Sequence, residues 1–486
     1  MTATLERPSA LKTSGGKAIL ALLCAVAFLD FVDASIVNVA LPSIRADLHV
    51  SVQGLQWIPS GYLLTYGGFM LLGGRAADLL GRRRLLVAGT MVIGLASLAG
   101  GLAPNLGLLV GARLAQGVGA AMVLPAALSI LTTTFTEPAD RHAALGVWGG
   151  IAGLASAAGV LLGGILTDGP GWRWVLFVNP PAAVLVLFGI FRLIDDDRPT
   201  RRPKGFDVSG SILATGAMLL LVYALVEAPN RGWSSARTVL ELAAAGLLVV
   251  AFVIVETRSR NPVLPLSIFR TRGLAAADVT QLIAFAGFLA VFFFLTLYMQ
   301  NVLGFSPLQT GAAYLPLCVG VGIAAGISGQ LLARIGTPPV IVAGCLIAAS
   351  GIYYLSRLHV HGHYLTNILP GTLVMSFGLG AVVVGVATAA NAGVPKHQAG
   401  SAAALLNASQ QVGGALGLAI FSAIATARTT RLLAAHVATP NALTSGFHRA
   451  LLASSIFVLA AALFAVRAPN TRGDNDASEP ARSDDA

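Results

Sequence analysis

A run of about twenty mainly apolar residues, enough to carry a helix across a hydrocarbon core of roughly 30 Å, recurs fourteen times along this chain. The runs lie near 18–40, 55–76, 84–103, 106–131, 143–166, 174–194, 208–227, 238–257, 274–299, 308–333, 338–357, 364–389, 399–426 and 447–467, separated by charged or Pro/Gly punctuation. Charged residues make up only 11% of the 486, against about 25% in soluble domains. So little polar material cannot cover soluble cores of this size, which argues against a cytosolic enzyme, a disordered chain and a nucleic-acid binder. The expected fold class is an all-α polytopic membrane protein with fourteen transmembrane helices. The first run is too long for a signal peptide, carries Asp30 and Asp33, and is followed by thirteen more. Cys24, Cys318 and Cys345 sit in apolar runs without CxxC spacing, as small core residues do.

Lys and Arg concentrate in cytoplasmic loops. With both termini on one side, that side holds 22 basic residues and the other 8, while Arg113 lies inside a span. An even helix number with both ends cytoplasmic follows. The exception is the stretch 427–449, whose Arg428, Arg431 and Arg449 fall on the outer side. The net charge of +10 is read through this asymmetry and not as a sign of a polyanion partner.

Duplicated halves are common in transporters, and a repeat is visible here. Gly74-Arg-Ala-Ala-Asp78-Leu-Leu-Gly81 has a worn counterpart in Gly329-Gln-Leu-Leu-Ala333-Arg-Ile-Gly336, at an offset of 255. Gln116-Gly117-Val-Gly119-Ala120 resembles Phe377-Gly378-Leu-Gly380-Ala381, at an offset of 261. Spans 1–6 therefore correspond to spans 9–14, and spans 7 and 8 are an inserted pair. The expected organisation is a cytoplasmic tail (1–16), an N-terminal six-helix bundle (17–194), the inserted helices with flanking cytoplasmic loops (195–272), a C-terminal six-helix bundle (273–467) and a disordered cytoplasmic tail (468–486).

Four segments resemble the major facilitator superfamily, in its fourteen-helix EmrB/QacA-type drug:proton antiporter group. Gly74 to Arg84 is similar to the loop signature G-x-L-A-D-x-x-G-R-R/K, and Asp33-Ala-Ser-Ile-Val-Asn-Val-Ala-Leu-Pro42 to the first-helix motif D-x-T-I-V-N-V-A-L-P. Arg113-Leu-Ala-Gln-Gly-Val-Gly-Ala-Ala121 resembles R-x-x-Q-G-x-G-A-A, and Trp172-Arg-Trp-Val-Leu-Phe-Val-Asn179 resembles W-R-W-x-F-x-x-N. The fifth-span antiporter motif G-x-x-x-G-P-x-x-G-G is kept at Gly159, Gly163 and Gly164, but Val160 stands in place of the Pro that would kink the helix. The resemblance implies two six-helix bundles, alternating access, and a loop (Gly74, Asp78, Gly81, Arg82, Arg83) that latches helix bundles together. A topogenic role explains the arginines of that loop equally well.

Asp30 and Asp33 lie about 20 and 24 Å along the first helix from Lys17, at or beyond the bilayer midplane. Carboxyls there must face protein or water and can carry a proton, and at i, i+3 the two share a face. Arg113, at a similar depth on span 4, is the expected partner. The set Asp33, Asp30 and Arg113 is expected either to couple proton binding to helix movement or to form a fixed ion pair. Asn38, Tyr62, Tyr66, Gln116, Gln281, Phe285, Asn407, Gln410 and Gln411 are candidates for a substrate cavity, helix-to-helix hydrogen bonding being the alternative for each. Asp278 and Glu227, near span ends, are expected to be interfacial. His359, His361 and His363 form a solvated cluster more readily than a metal site.

No nucleotide-binding, metalloprotease or nucleophile-elbow motif is present. The expectation is therefore not an enzyme and no cofactor, with a proton gradient as the energy source. The sequence points to a proton-coupled exporter of hydrophobic, cationic drugs or toxic small molecules, a monomer whose partners are substrate, protons and membrane lipid, without nucleic acid. The alternatives are a dedicated exporter or symporter of one metabolite and, from another class, a non-transporting membrane receptor. Usage of 27 Arg against 4 Lys hints at a GC-rich bacterial source, hence a bacterial plasma membrane.

Overall fold

Long apolar stretches opened by Ser or Asn fold as helices, because a side-chain oxygen at the N-cap satisfies a backbone N–H that the first turn leaves unpaired. A computed structural model describes residues 13–195, 207–259, 273–392 and 399–471, with isolated positions 11, 262 and 394; among them there is no strand. Ser51 caps α2 through the N–H of Gly54, Asn105 caps α4 through Leu108, and Ser306 with Gln309 forms a reciprocal capping box at α11.

The helices are α1 (Ser14–Leu48), α2 (Val52–Leu80), α3 (Arg82–Gly101), α4 (Leu106–Thr134), α5 (Pro138–Asp168), the short α6 (Trp174–Phe177) and α7 (Asn179–Leu193). Then come α8 (Val208–Arg231), α9 (Ala236–Arg258), α10 (Leu274–Asn301), α11 (Pro307–Ile335), α12 (Thr337–Leu355), α13 (Leu369–Asn391), α14 (Ala399–Ala434) and α15 (Thr439–Ala465). Leaving α6 aside, the described residues form fourteen long helices, one for each apolar run. Eleven spans among them are long and apolar enough to cross a membrane. The sixth run is divided into α6 and α7, two prolines following Asn179. Residues 427–449, expected as a loop, are mostly helical: α14 continues to Ala434 and α15 begins at Thr439, and Arg428 Nε donates to Ser445 Oγ at 3.0 Å between them.

Helices α1–α7 pack among themselves, as do α10–α15, and the two bundles meet through α1 with α10, α5 with α11 and α2 with α14. The repeat is written into the backbone. Gly81, between α2 and α3, and Gly336, between α11 and α12, take φ of 97° and 83°, a region side-chain-bearing residues rarely adopt. Of the inserted pair, α8 lies against α2 and α14, and Thr215 Oγ1 donates to the Gly68 carbonyl at 2.9 Å. Helix α9 packs on α8 and shows Leu240 and Leu247 outward.

The two ends of the molecule differ. At the face away from the chain termini, α5 and α11 interlock: a Cβ on Gly164 would lie 2.7 Å from the Pro307 carbonyl, and one on Gly311 2.5 Å from that of Val160. Gln300 Nε2 of α10 donates to the Val39 carbonyl of α1 at 2.8 Å on the same side. Toward the termini, Val147 and Leu154 of α5 and Val319 and Ile323 of α11 are exposed.

Candidate functional site

The mid-length turns of α1 carry Asp30 and Asp33 on one face, and α2, α4 and the start of α7 close over them. Both carboxylates are only 2% exposed. Burial of this kind demands hydrogen-bonding partners, and the neighbouring helices supply two different sets.

Asp33 is held by a cation and amides. Arg113 Nη1 donates to its Oδ2 at 2.8 Å, and Gln116 Nε2 donates to its Oδ1 at 2.9 Å. Asn179 Nδ2 reaches the same oxygen. The network closes on itself: Arg113 also donates to Gln116 Oε1 at 3.0 Å, and Gln116 and Asn179 both donate to Ser97 Oγ. The Arg113 guanidinium lies 4.3 Å over the Tyr62 ring, a cation–π contact that further desolvates it. Helix α4 can bring Arg113 here because α2 and α4 touch closely. A Cβ on Gly117 would stand 2.3 Å from the Tyr62 carbonyl.

Asp30 is held by neutral groups. Tyr66 Oη donates to its Oδ2 at 2.9 Å and Tyr62 Oη to its Oδ1 at 3.4 Å, the two rings meeting edge to face. No cation among the described residues bonds to it. Tyr62 therefore stands between the two carboxylates, with its hydroxyl on Asp30 and its ring under Arg113.

The structure thus joins Asp30, Asp33, Arg113, Tyr62, Tyr66 and Gln116 in one buried cluster. Asn179 closes the W-R-W-x-F-x-x-N segment and was visible as a motif residue without a role; Ser97, on the apolar α3, gave no signal in the sequence. The other cavity candidates are divided. Asn38 and Asn407 turn their amides back to the Ala34 and Ala403 carbonyls of their own helices. Gln281 of α10 donates to Gln410 of α14 at 2.9 Å, and Gln411 packs against Gly67 of α2. Phe285 meets Phe288 edge to face at 5.9 Å.

The antiporter-motif glycines are contact points. A Cβ on Gly159 would fall 2.0 Å from Ser35 Oγ and one on Gly163 2.5 Å from the Ile36 carbonyl, both on α1, whereas Gly164 faces α11. In the loop signature, Gly81 provides the positive-φ turn and Gly74 faces Pro125. Arg82 Nη1 donates to Thr133 Oγ1 at 2.9 Å in the last turn of α4, and Arg83 reaches the Phe191 carbonyl at 3.3 Å near the end of α7. Those partners belong to the N-terminal bundle, near helix C-termini where cations are favoured. The side chain of Asp78 lies outside the described residues.

Two expectations about span-end acids separate. Glu227 is partly exposed, accepts from Trp57 Nε1 at 3.1 Å and pairs with Arg231, as an interfacial residue would. Asp278 is instead 6% exposed and has no hydrogen-bond partner on either oxygen among the described residues. His359 and His361 line an open cavity of about 700 Å³ with His448, and no group of three or more His, Cys, Asp or Glu among the described residues is placed to hold a metal.

The family model described as Major Facilitator Superfamily matches residues 23–418. Puromycin resistance protein pur8 of Streptomyces alboniger is 42% identical over 432 residues, 88% of this chain and 85% of that one. Cephamycin export protein CmcT of Amycolatopsis lactamdurans is 37% identical over 461 residues, 93% and 92% of the two chains. Among solved structures, an inward-facing, unoccupied bacterial homolog of the human lysosomal transporter Spinster aligns with a TM-score of 0.65. That alignment covers 93% of this chain and 97% of that chain at 16% identity, a likeness of fold alone.

Proposed function

Because the chain belongs to the major facilitator superfamily, we propose that it is a proton-coupled antiporter that exports hydrophobic, cationic drugs or toxic small molecules from the bacterial cytoplasm. The export half of this reading is supported by relatives named for puromycin resistance and cephamycin export. The proton half is supported by one observation: among the described residues, Asp30, buried at mid-helix, has two phenolic hydroxyls as partners and no cation, while its neighbour Asp33 is bonded to a guanidinium and two amides. Asp30 is the carboxyl that exchanges a proton, and Asp33 with Arg113 is the fixed pair that holds α1, α4 and α7 in register. Tyr62 links them, so that a change at Asp30 is felt by the Arg113 guanidinium.

Fourteen helices with both termini in the cytoplasm place the interlocked ends of α5 and α11 at the outer face. The exposed halves of α5 and α11 then face the cytoplasm, from which substrate enters. The membrane potential contributes about 2.3 kcal/mol per charge per 100 mV to the work one exchanged proton can do, and a pH gradient adds to it. The protein acts as a monomer without a cofactor.

In proteoliposomes, Asp30→Asn is expected to abolish drug accumulation driven by a pH gradient while sparing drug exchange at equilibrium. Asp33→Asn is expected to lower thermal stability together with both activities. Full coupling in a well-folded Asp30→Asn protein overturns the assignment of the proton. Silence of the wild type toward a broad panel of lipophilic cations overturns the multidrug reading and favours a single metabolite. That second reading draws on α5, where the motif proline is replaced by buried Val160 and the helix runs on without an internal Pro.

A further inference from the structure

From Val279 to Gly473 the chain contains no Asp or Glu, so Asp278 is the one carboxyl of the C-terminal bundle. It sits in the second turn of α10, buried, with both oxygens unpartnered. One turn on, Gln281 is 3% exposed and spends its amide N–H on Gln410 Oε1, which leaves its own Oε1 unpartnered as well. Residues at i and i+3 share a helix face. Three buried acceptor oxygens on one helix face therefore have no donor among the described residues, where about nine in ten buried polar groups of native interiors are paired.

The helices packed against α10 are α1, α11, α13, α14 and α15. No ionised group among the described residues on any of them acts on Asp278; burial is the one influence on it. Two side chains are a thin ligand set for a metal ion. A proton answers the shortage with no change in volume. It turns one carboxyl oxygen into an O–H donor for which Gln281 Oε1, one turn on along the same face, is an unused acceptor, and so neutralises the charge and pairs the amide in one step.

We propose that Asp278 is a second proton-binding site, in which the protonated carboxyl donates to Gln281 and through it to Gln410 of α14. The proton is taken from and returned to water at the termini face, with no bond broken other than O–H. Helix α14 is the side of the C-terminal bundle that meets α2, Gln411 standing against Gly67. Proton occupancy at Asp278 thereby acts on Gln410, the residue beside Gln411 at the seam between bundles. Its part in transport rests on the antiporter reading above; the binding of the proton does not.

Infrared spectra of the full chain in lipid nanodiscs test the proton directly. At neutral pH the wild type is expected to show a carboxylic C=O band that Asp278→Asn removes and Asp30→Asn leaves in place. Gln281→Leu should move that band to higher frequency, since the carboxyl loses its acceptor. Asp278→Asn keeps the shape and can donate its own N–H to Gln281, so the variant should fold. If Asp278→Asn removes no carboxylic band at any pH at which the protein is folded, or if the band responds to sodium instead of pH, the proposal is overturned. In proteoliposomes the variant should move one proton fewer per drug molecule than the wild type. A wild type that moves no protons refutes the antiporter reading while leaving the infrared result to decide Asp278; a coupled wild type with an unchanged ratio in Asp278→Asn refutes the role of Asp278 in transport.

Discussion

Arg113 is 1% exposed and makes its ionic bond to Asp33, itself 2% exposed, in the interior of the N-terminal bundle. Removing one partner of such a pair leaves a bare buried charge, which costs about 3–5 kcal/mol, whereas removing both can be nearly neutral. Arg113→Met is thus expected to destabilise the protein by about that much. Combining it with Asp33→Asn should recover a large part of the loss. Denaturant or thermal unfolding of the single and double variants checks this. Equal stability of Arg113→Met and wild type would show that Gln116 and Asn179 suffice to hold Asp33. The pairing of Asp33 with Arg113 was legible in the sequence from depth along two helices. The division of labour between Asp30 and Asp33 was not, because it depends on which helix lies beside each oxygen. Nor was the burial of Asp278, since a position in the second turn of a helix suggests water and only the packing of the neighbouring helices on α10 decides otherwise.

Helix α5 reads two neighbours with consecutive glycines. Gly163 faces α1 of its own bundle, while Gly164 faces α11 of the other. A methyl group has no room at either position, but the consequences differ with what has to move. Gly163→Ala presses against the Ile36 backbone and should lower stability by about 1–3 kcal/mol, the usual cost of overpacking. Gly164→Ala presses on Pro307 and Leu308 and can be relieved by parting the two bundles at that face. It is therefore expected to shift the population toward the state open there, read as faster labelling of a cysteine placed at Val39 or Gln300. Slower or unchanged labelling would mean that the α5–α11 contact does not gate that end. The glycine spacing showed in the sequence, as did the repeat that Gly81 and Gly336 share. Which of two adjacent glycines meets which helix did not, because a 100° step along α5 changes the partner without changing the pattern.

At the scale of the molecule, the proposed transport cycle rocks the two bundles against each other, and the inserted pair has then to accompany one of them. Helix α8 touches α2 and α14, which belong to different bundles, so one of its contacts must slide. The hydrogen bond from Thr215 to the Gly68 carbonyl is directional and joins α8 to α2. Leu219 adds a side chain 3.3 Å from where a Gly68 Cβ would sit. Against α14 the contact is made by apolar groups: Val222 shares a buried cluster with Val412, Ala415 and Ala419. Dispersion contacts between smooth apolar faces can be exchanged for others of similar strength, while the Thr215 hydroxyl, drawn off the Gly68 carbonyl, finds no new partner in lipid. Helix α8 is therefore expected to travel with the N-terminal bundle and to slide on α14. A cross-link between cysteines at Gly68 and Leu219 should leave transport intact, and a short bifunctional cross-link between cysteines at Val222 and Ala415 should arrest it. The reverse pattern would assign the inserted pair to the C-terminal bundle, and arrest by both would make α8 and α9 a clamp across the seam.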